Sequence, residues 1–342
     1  MSARQLLAAL ATVALMAVFG LVVYSVLGTL QTKTTTTADP TQEQALVALP
    51  GTVVLVQNGS IYSLHGLAFT KLATPSGNWY QVAPGPNGDL LAVDKGNGYS
   101  DLYLLSPSGQ VLRRLLQESS PYYFQNHFVF YPRMSANGQS VFYAYNWIDP
   151  SADYNVDFEI QSVPMANPGA SPTQWSIPNN YTGGDVSPIP TANGGLLYTS
   201  FDVSSSNDSY PYSQLTYVSS PEGNPVYLTT PAQNCSEPAL NPAGNEVAMI
   251  CVNNRLQRDT LEVASWNGTS LGTPTILSQG PMAASPCWSP TGNSLLFMNV
   301  PSRGDPFQLY WIPRAASAKP GAPQQVTQNL SLNALSTPVW ES

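Results

Sequence analysis

The sequence predicts an all-β chain folded as a six-bladed β-propeller with four-stranded blades, and three observations carry that prediction. The first is a cadence that returns six times, clearest as SPCWSPTGNSLLFM over residues 285–298. Aligned on the slot that Pro286 fills, the copies fall at Val82, Pro132, Pro188, Pro238, Pro286 and Pro338, in steps of 50, 56, 50, 48 and 52 residues. Six residues past the slot stand Gly88, Gly138, Gly194, Gly244 and Gly292, each followed by an apolar stretch, which reads as strand, glycine turn, strand. The second is that each unit holds two further strand-like stretches. Four strands at a period near 50 fit a propeller blade better than a solenoid coil or a sandwich module of about 100 residues. The third is that the last copy, TPVWES, stops where a turn should begin, while a turn at Pro50 and Gly51 followed by TVVLVQ stands near the front. The two ends complete one repeat between them.

The elements follow in order. From 6 to 30 the run LLAALATVALMAVFGLVVYSVLGTL carries no charge. As a helix it would span roughly 37 Å, enough for a hydrocarbon core of about 30 Å. Arg4 precedes it and Lys33, Asp39 and Glu43 follow, a balance that favours the N-terminus inside and the bulk of the chain outside. The run is long for a cleaved signal peptide, the alternative, so residues 1–32 read as an uncleaved signal anchor. Residues 33–48, with Thr34, Thr35, Thr36, Thr37 and Pro40, read as a flexible linker, and 49–342 as the propeller. Blade 1 takes its three outer strands from 52–73 and its innermost strand from 336–341. The third strands of blades 1 to 6 are SIYSL, DLYLL, FEIQSV, QLTYV, TLEVA and QLYWI; the fourth are FTKLA, VLRRLL, TQWSI, PVYLT, PTILS and QQVTQ. Closing the ring through the C-terminal strand protects edges that an open array would present.

Composition narrows the function classes. Charged residues make up 9% of the chain, the net charge is −8, and there are only 12 Lys and Arg. Nucleic-acid binding and docking on anionic lipid both need basic patches, and neither is expected.

The repeat resembles that of the TolB-like six-bladed propellers, usually described as P-x-W-S-P-D-G before an apolar strand. Pro286, Trp288, Ser289, Pro290 and Gly292 match, with Thr291 in the Asp position. Blade 5 keeps Pro238, Pro242 and Gly244, with Asn241 in the serine slot, and blade 3 keeps Pro132, Ser135 and Gly138. Blade 2 is poorer, with Val82 and Pro84 in the proline and aromatic positions. The resemblance implies the propeller over 49–342. TolB itself acts as a periplasmic partner protein, so it also implies partner binding, although this chain carries a membrane anchor where TolB has a companion domain.

No catalytic motif stands out. His65 and His127 lie in no metal-ligand spacing, there is no G-x-S-x-G elbow, and sialidase-type S-x-D-x-G-x-T-W boxes are absent. Paired carboxylates meeting across blades stay open as a reading. The long connections YNWIDPSADYNV and FDVSSSNDSYPYS between second and third strands of blades 3 and 4 should share one face with YYFQNH and NWY. That makes a rim of Trp79, Tyr80, Tyr122, Tyr123, Tyr145, Trp147, Tyr210 and Tyr212, large amphipathic rings suited to a protein or sugar partner; packing between blades is the alternative for any one of them. Asp153, Asn155, Asp157 and Glu159 resemble part of a calcium loop, calcium being the one cofactor suggested, but no glycine turns it and a solvated acidic loop is the simpler reading. Folding the blade 5 hairpin about Ala243 sets Cys235 opposite Cys251, where they bridge in an oxidising compartment or else stay reduced, with Cys287 a buried thiol. The expected function is a membrane-tethered extracytoplasmic propeller that binds or scaffolds a protein and is not an enzyme. A carbohydrate or envelope-polymer receptor, and a glycosidase-like or lyase-like enzyme with carboxylates in the central funnel, are the alternatives.

Overall fold

A computed structural model describes residues 45–122, 125–146, 157–178, 182–203, 211–221, 223–313 and 320–342. The hydrophobic run at 6–30 lies outside them. Among the described residues no helix is long and apolar enough to cross a membrane. The body comprises six four-stranded antiparallel sheets. Blade 1 contains β1 (Leu49–Gln57), β2 (Ser60–Gly66) and β3 (Ala68–Lys71); blade 2 is β4 (Trp79–Pro84), β5 (Leu90–Lys95), β6 (Ser100–Leu105) and β7 (Val111–Leu116). Blade 3 is β8 (Val129–Met134), β9 (Ser140–Asn146), β10 (Phe158–Pro164) and β11 (Thr173–Gln174); blade 4 is β12 (Asp185–Pro190), β13 (Leu196–Val203), β14 (Pro211–Val218) and β15 (Val226–Tyr227). Blade 5 is β16 (Cys235–Leu240), β17 (Glu246–Asn253), β18 (Arg258–Ser265) and β19 (Thr275–Gly280). Blade 6 is β20 (Ala283–Trp288), β21 (Ser294–Asn299), β22 (Gln308–Pro313) and β23 (Gln324–Gln325), and β24 (Val339–Glu341) returns to blade 1.

The closure is the one the split repeat predicts. β24 pairs antiparallel with β1, Val53 opposite Trp340 and Val54 opposite Val339, and the Trp340 indole donates to the Pro50 carbonyl at 2.7 Å. Gly51 makes this possible: its φ is +76°, and a Cβ there would sit 2.0 Å from the Glu341 carbonyl oxygen. The chain is already in the body before β1, since Ala45 bridges to Thr327 and packs in the core with Leu49, Leu55, Leu309 and Trp340.

The repeated turn has a visible chemistry. Gly138, Gly244 and Gly292 all hold positive φ, and their N–H groups donate to the carbonyls of Ser135, Asn241 and Ser289 at 2.9 Å. The side chain at that slot then accepts from the strand that follows: Ser140 N to Ser135 Oγ, Glu246 N to Asn241 Oδ1, Ser294 N to Ser289 Oγ. This is why Ser or Asn recurs there, three residues before the glycine.

Each innermost strand touches the innermost strand of the next blade, closing the ring β24, β4, β8, β12, β16, β20 around a central channel. In β8, β12, β16 and β20 the residue before the proline adopts positive φ at a register shift: Tyr131, Ser187, Glu237 and Ser285. Proline supplies no N–H, so a bulge at this point costs the ladder least. Backbone N–H groups at and beside the slot are instead taken up by neighbouring blades. Tyr131 N donates to Gln81 Oε1, Glu237 N to Thr199 Oγ1, Val82 N to Ser336 Oγ, and Ser285 N to the Glu237 carboxylate. These bonds stitch blade to blade at the channel wall.

Candidate functional site

The connections from second to third strand and those between blades lie on one face, as expected. Ser100 N donates to the His127 carbonyl and Lys95 N to the Asn78 carbonyl, so the two kinds of connection are hydrogen-bonded neighbours. Polar residues opening the third strands hold this face in shape. Asp101 accepts from the backbones of Glu118 and Ser119, Asp157 from Thr182 and Gly183, and Asp259 from Ala283.

Over blades 2 and 3 this face carries a half-buried aromatic floor. Tyr80 and Phe130 rings lie 5.6 Å apart, Phe128 stacks on Phe130 at 5.5 Å, and Phe158 meets Phe130 edge-on at 5.8 Å. The Lys95 ammonium stands 4.3 Å from the Tyr80 ring centre, and burial holds its pKa below the usual lysine value. Beside them Tyr145 stacks on His127 at 5.1 Å, and its hydroxyl donates to Glu118 Oε2 at 3.1 Å. Burial pushes the Glu118 carboxyl up and the His127 imidazole down, and His127 Nδ1 is buried with no hydrogen-bond partner among the described residues. Both groups are thereby biased toward neutrality, which suits contact with another apolar surface.

The sequence-predicted rim is dispersed by the fold. Tyr80 and Tyr145 join the floor, and Tyr122 stands beyond it, 61% exposed. Trp79 is a correction: it is 3% exposed, packs edge-on against Tyr103 and donates to the Pro75 carbonyl, because the alternation of β4 turns it inward as Tyr80 turns out. Tyr212 lies half-buried over blade 4, donating to Asp202 Oδ2 at 3.2 Å. Tyr123, Trp147 and Tyr210 lie outside the described residues. The floor members that sequence reading passed over are Lys95, Phe128, Phe130 and Phe158. Their signal was the aromatic spacing of HFVFYP read as alternation, with Phe128 and Phe130 on one side of the strand.

Of the calcium pattern, Asp153 and Asn155 lie outside the described residues. Asp157 and Glu159 are buried, Asp157 holding the backbone of 182–183 and Glu159 accepting from the Gln161 and Gln174 amides. Those oxygens serve the blade, and among the described residues no group of three or more His, Cys, Asp or Glu is placed to hold a metal ion. Cys235 and Cys251 stand opposite one another in the β16–β17 register, with Cα atoms 4.0 Å apart, and are joined as a disulfide.

A second concavity opens on the same face between blades 5 and 6. It has a volume of about 720 Å³, lined by Leu256, Arg258, Gln279, Pro301 and Arg303 among others. Arg303 is already engaged there, donating twice to Gln257.

The sequence matches no protein-family model and no curated protein. Solved structures do match. TolB of Acinetobacter baumannii superposes with a TM-score of 0.61 at 13% identity, over 85% of this chain and 66% of that one. A puromycin hydrolase gives 0.52 at 16% identity, over 74% of this chain but only 39% of the hydrolase. Oligogalacturonate lyase of Vibrio parahaemolyticus gives 0.51 at 11% identity, over 84% of this chain and 79% of the lyase. This chain thus spans just under two thirds of that TolB, and at such identities the likeness is one of fold, shared by enzymes and non-enzymes. In blade number, strand order and ring closure the chain is a six-bladed β-propeller, and its fold is similar to that of TolB.

Proposed function

We propose that this protein is a membrane-tethered, extracytoplasmic propeller that binds a protein partner through the connection face over blades 2 and 3. The observation that carries the reading is the half-buried floor in which Tyr80, Phe128 and Phe158 meet Phe130, with Tyr145 stacked on His127 beside them and Lys95 at the border. Aromatic rings are enriched in the cores of protein interfaces, and tyrosine is among the residues that carry most of their binding energy. The uncharged run at 6–30 supports the tether, and a disulfide pair supports an oxidising compartment. More than half of the puromycin hydrolase has no counterpart in this chain, so its kinship argues little for hydrolysis here.

A photo-crosslinking amino acid placed at Tyr122, on the exposed connection between blades 2 and 3, and at Val111, on the outer strand of blade 2, tests the reading in cells. Irradiation should yield a discrete heavier adduct from position 122 and none from 111, and the adduct should vanish with Phe130→Ser. Equal labelling from both positions, or an adduct insensitive to Phe130, would reject this face as the interface. The lyase kinship keeps one rival in view, since it covers most of both chains. Turnover of an acidic polysaccharide by the purified chain would replace the binding proposal with an enzymatic one.

A further inference from the structure

The channel wall carries a cation that no carboxylate among the described residues answers. Arg133 leaves β8 just past the bulge at Tyr131 and reaches toward blade 1, where its Nη2 donates to Thr337 Oγ1 at 2.8 Å. Its other hydrogen bond among the described residues runs from Nη1 to the adjacent Pro132 carbonyl at 3.3 Å. A guanidinium has five N–H donors, so most of its capacity is uncommitted. Among the described residues the one ion pair joins Arg114 to Asp101, and no carboxylate of theirs lies within 4 Å of Arg133. From blade 6 the half-buried Cys287 thiol lies close enough to interact with its charge. The side chain is half-buried, and that burial lowers the guanidinium pKa, but an arginine stays charged, so its partial desolvation cost stands unless an anion offsets it.

We propose that the central channel holds a carboxylate-binding site centred on Arg133, with the Thr337 hydroxyl fixing the guanidinium fork and Cys287 at its edge. The class follows from charge and shape. One guanidinium matches one negative charge and pairs with a planar carboxylate through two parallel bonds. A phosphate dianion would leave a net negative charge enclosed in a chain whose net charge is already −8. The one carboxylate among the four bulge residues, Glu237, is committed to the Ser285 N–H on the blade 5 to blade 6 side and forms no ion pair with Arg133. Two sources share this chemistry: a small free carboxylate, and the C-terminal carboxylate of a peptide threaded into the channel. The site does not depend on what the aromatic floor binds.

Cys287 provides the reporter, being the one cysteine outside the disulfide. The full chain in detergent is treated with methyl methanethiosulfonate without reductant, at constant ionic strength, in sodium acetate, in Gly-Gly-Ala with a free or an amidated C-terminus, in sodium phosphate, or in sodium chloride alone. Acetate or the free-acid peptide should slow Cys287 modification at least fivefold and saturably, and chloride should not. Protection by the free-acid but not the amidated peptide, at lower concentration than acetate, assigns the site to a chain terminus; equal or better protection by acetate assigns it to a free carboxylate. Arg133→Gln should shift the protection curve at least tenfold. Should that variant not fold, Arg133→Lys, which keeps the charge without the fork, and Thr337→Val should each weaken protection by threefold or more. No protection beyond chloride, stronger protection by phosphate, or protection unchanged in the Arg133 and Thr337 variants overturns the proposal.

Discussion

Replacing Glu237 by Gln should make the propeller more stable at pH 8 and leave it nearly unchanged at pH 4. Glu237 sits at the bulge of β16 with φ +54°, its N–H donated to Thr199 and its carboxylate accepting the Ser285 N–H. Burial raises its pKa from 4.5 to about 7, with Asp259 adding to the rise and the Ser285 bond opposing it. The sign follows from proton counting. Between pH 4.5 and about 7 the native state holds this proton and the unfolded state does not, so stability falls as pH rises through that window and levels off above it. At about 1.4 kcal/mol per pH unit, the carboxylate costs the fold roughly 3 kcal/mol at pH 8 as an upper bound. Gln keeps an oxygen for the Ser285 N–H and never ionises. Asp185, 2% exposed with Oδ1 unpartnered and its pKa pushed up to about 6, adds a slope of the same sign that the substitution leaves in place. Urea unfolding of the body from Glu43 onward, which is a compact unit of its own, should be followed between pH 4 and 8 for both chains. The two stabilities should diverge from about pH 5 and run parallel above about 7.5. Parallel curves throughout, or a variant weaker at pH 8, would show that Glu237 is accommodated as an anion and that the channel wall is more solvated than its packing implies.

Three other outcomes follow from the closure and the ends. Gly51→Ala should destabilise by about 3 kcal/mol or more, since positive φ and a backbone oxygen 2.0 Å from the new Cβ act together; a melting shift under about 3 °C would deny the close approach. Removing residues 336–342 takes away β24, the buried Trp340 and the Ser336 bond to Val82, a loss of about 4 kcal/mol from the indole alone, and limited proteolysis should then start in blade 1; unchanged protease resistance would refute ring closure by this strand. Full-length protein should sediment with membranes and leave them only in detergent, whereas the body from Glu43 should stay in the supernatant; a detergent-free soluble full chain would remove the tether.

Nearly all of the strand order was legible because a blade is read off local chemistry. A proline slot, a Ser or Asn three residues on and a glycine three beyond that are enough to locate a hairpin, and every third and fourth strand expected from the spacing is present, down to the two-residue β11, β15 and β23. The site was less legible for two reasons. Rim membership depends on which way a residue faces, and for Trp79 and Tyr80 that is set by the alternation of β4, a choice of phase that composition does not reveal. The channel residues were missed because they stand at the bulges. Tyr131, Glu237 and Ser285 precede the aligned proline, a position without repeat character: Gln81, Tyr131, Ser187, Glu237, Ser285 and Thr337 share nothing but their place.

That lack of consensus is itself informative. The proline and the turn residues recur because every blade needs the same bulge and the same turn, and a change at either costs the ladder. The residue before the proline faces the channel, where the six blades meet and no repeat-wide packing constrains it. Some of these side chains are spent on the stitching: Gln81 and Glu237 each take a backbone N–H from the following blade. Two residues further along β8, just past the proline, Arg133 takes no backbone N–H and ends on a threonine hydroxyl with donors to spare. A half-buried charge with donors left over from that stitching is the group most free to serve a ligand. The architecture thus separates the two roles by position within a single strand, with closure assigned to the bulge and recognition to the residue just beyond it.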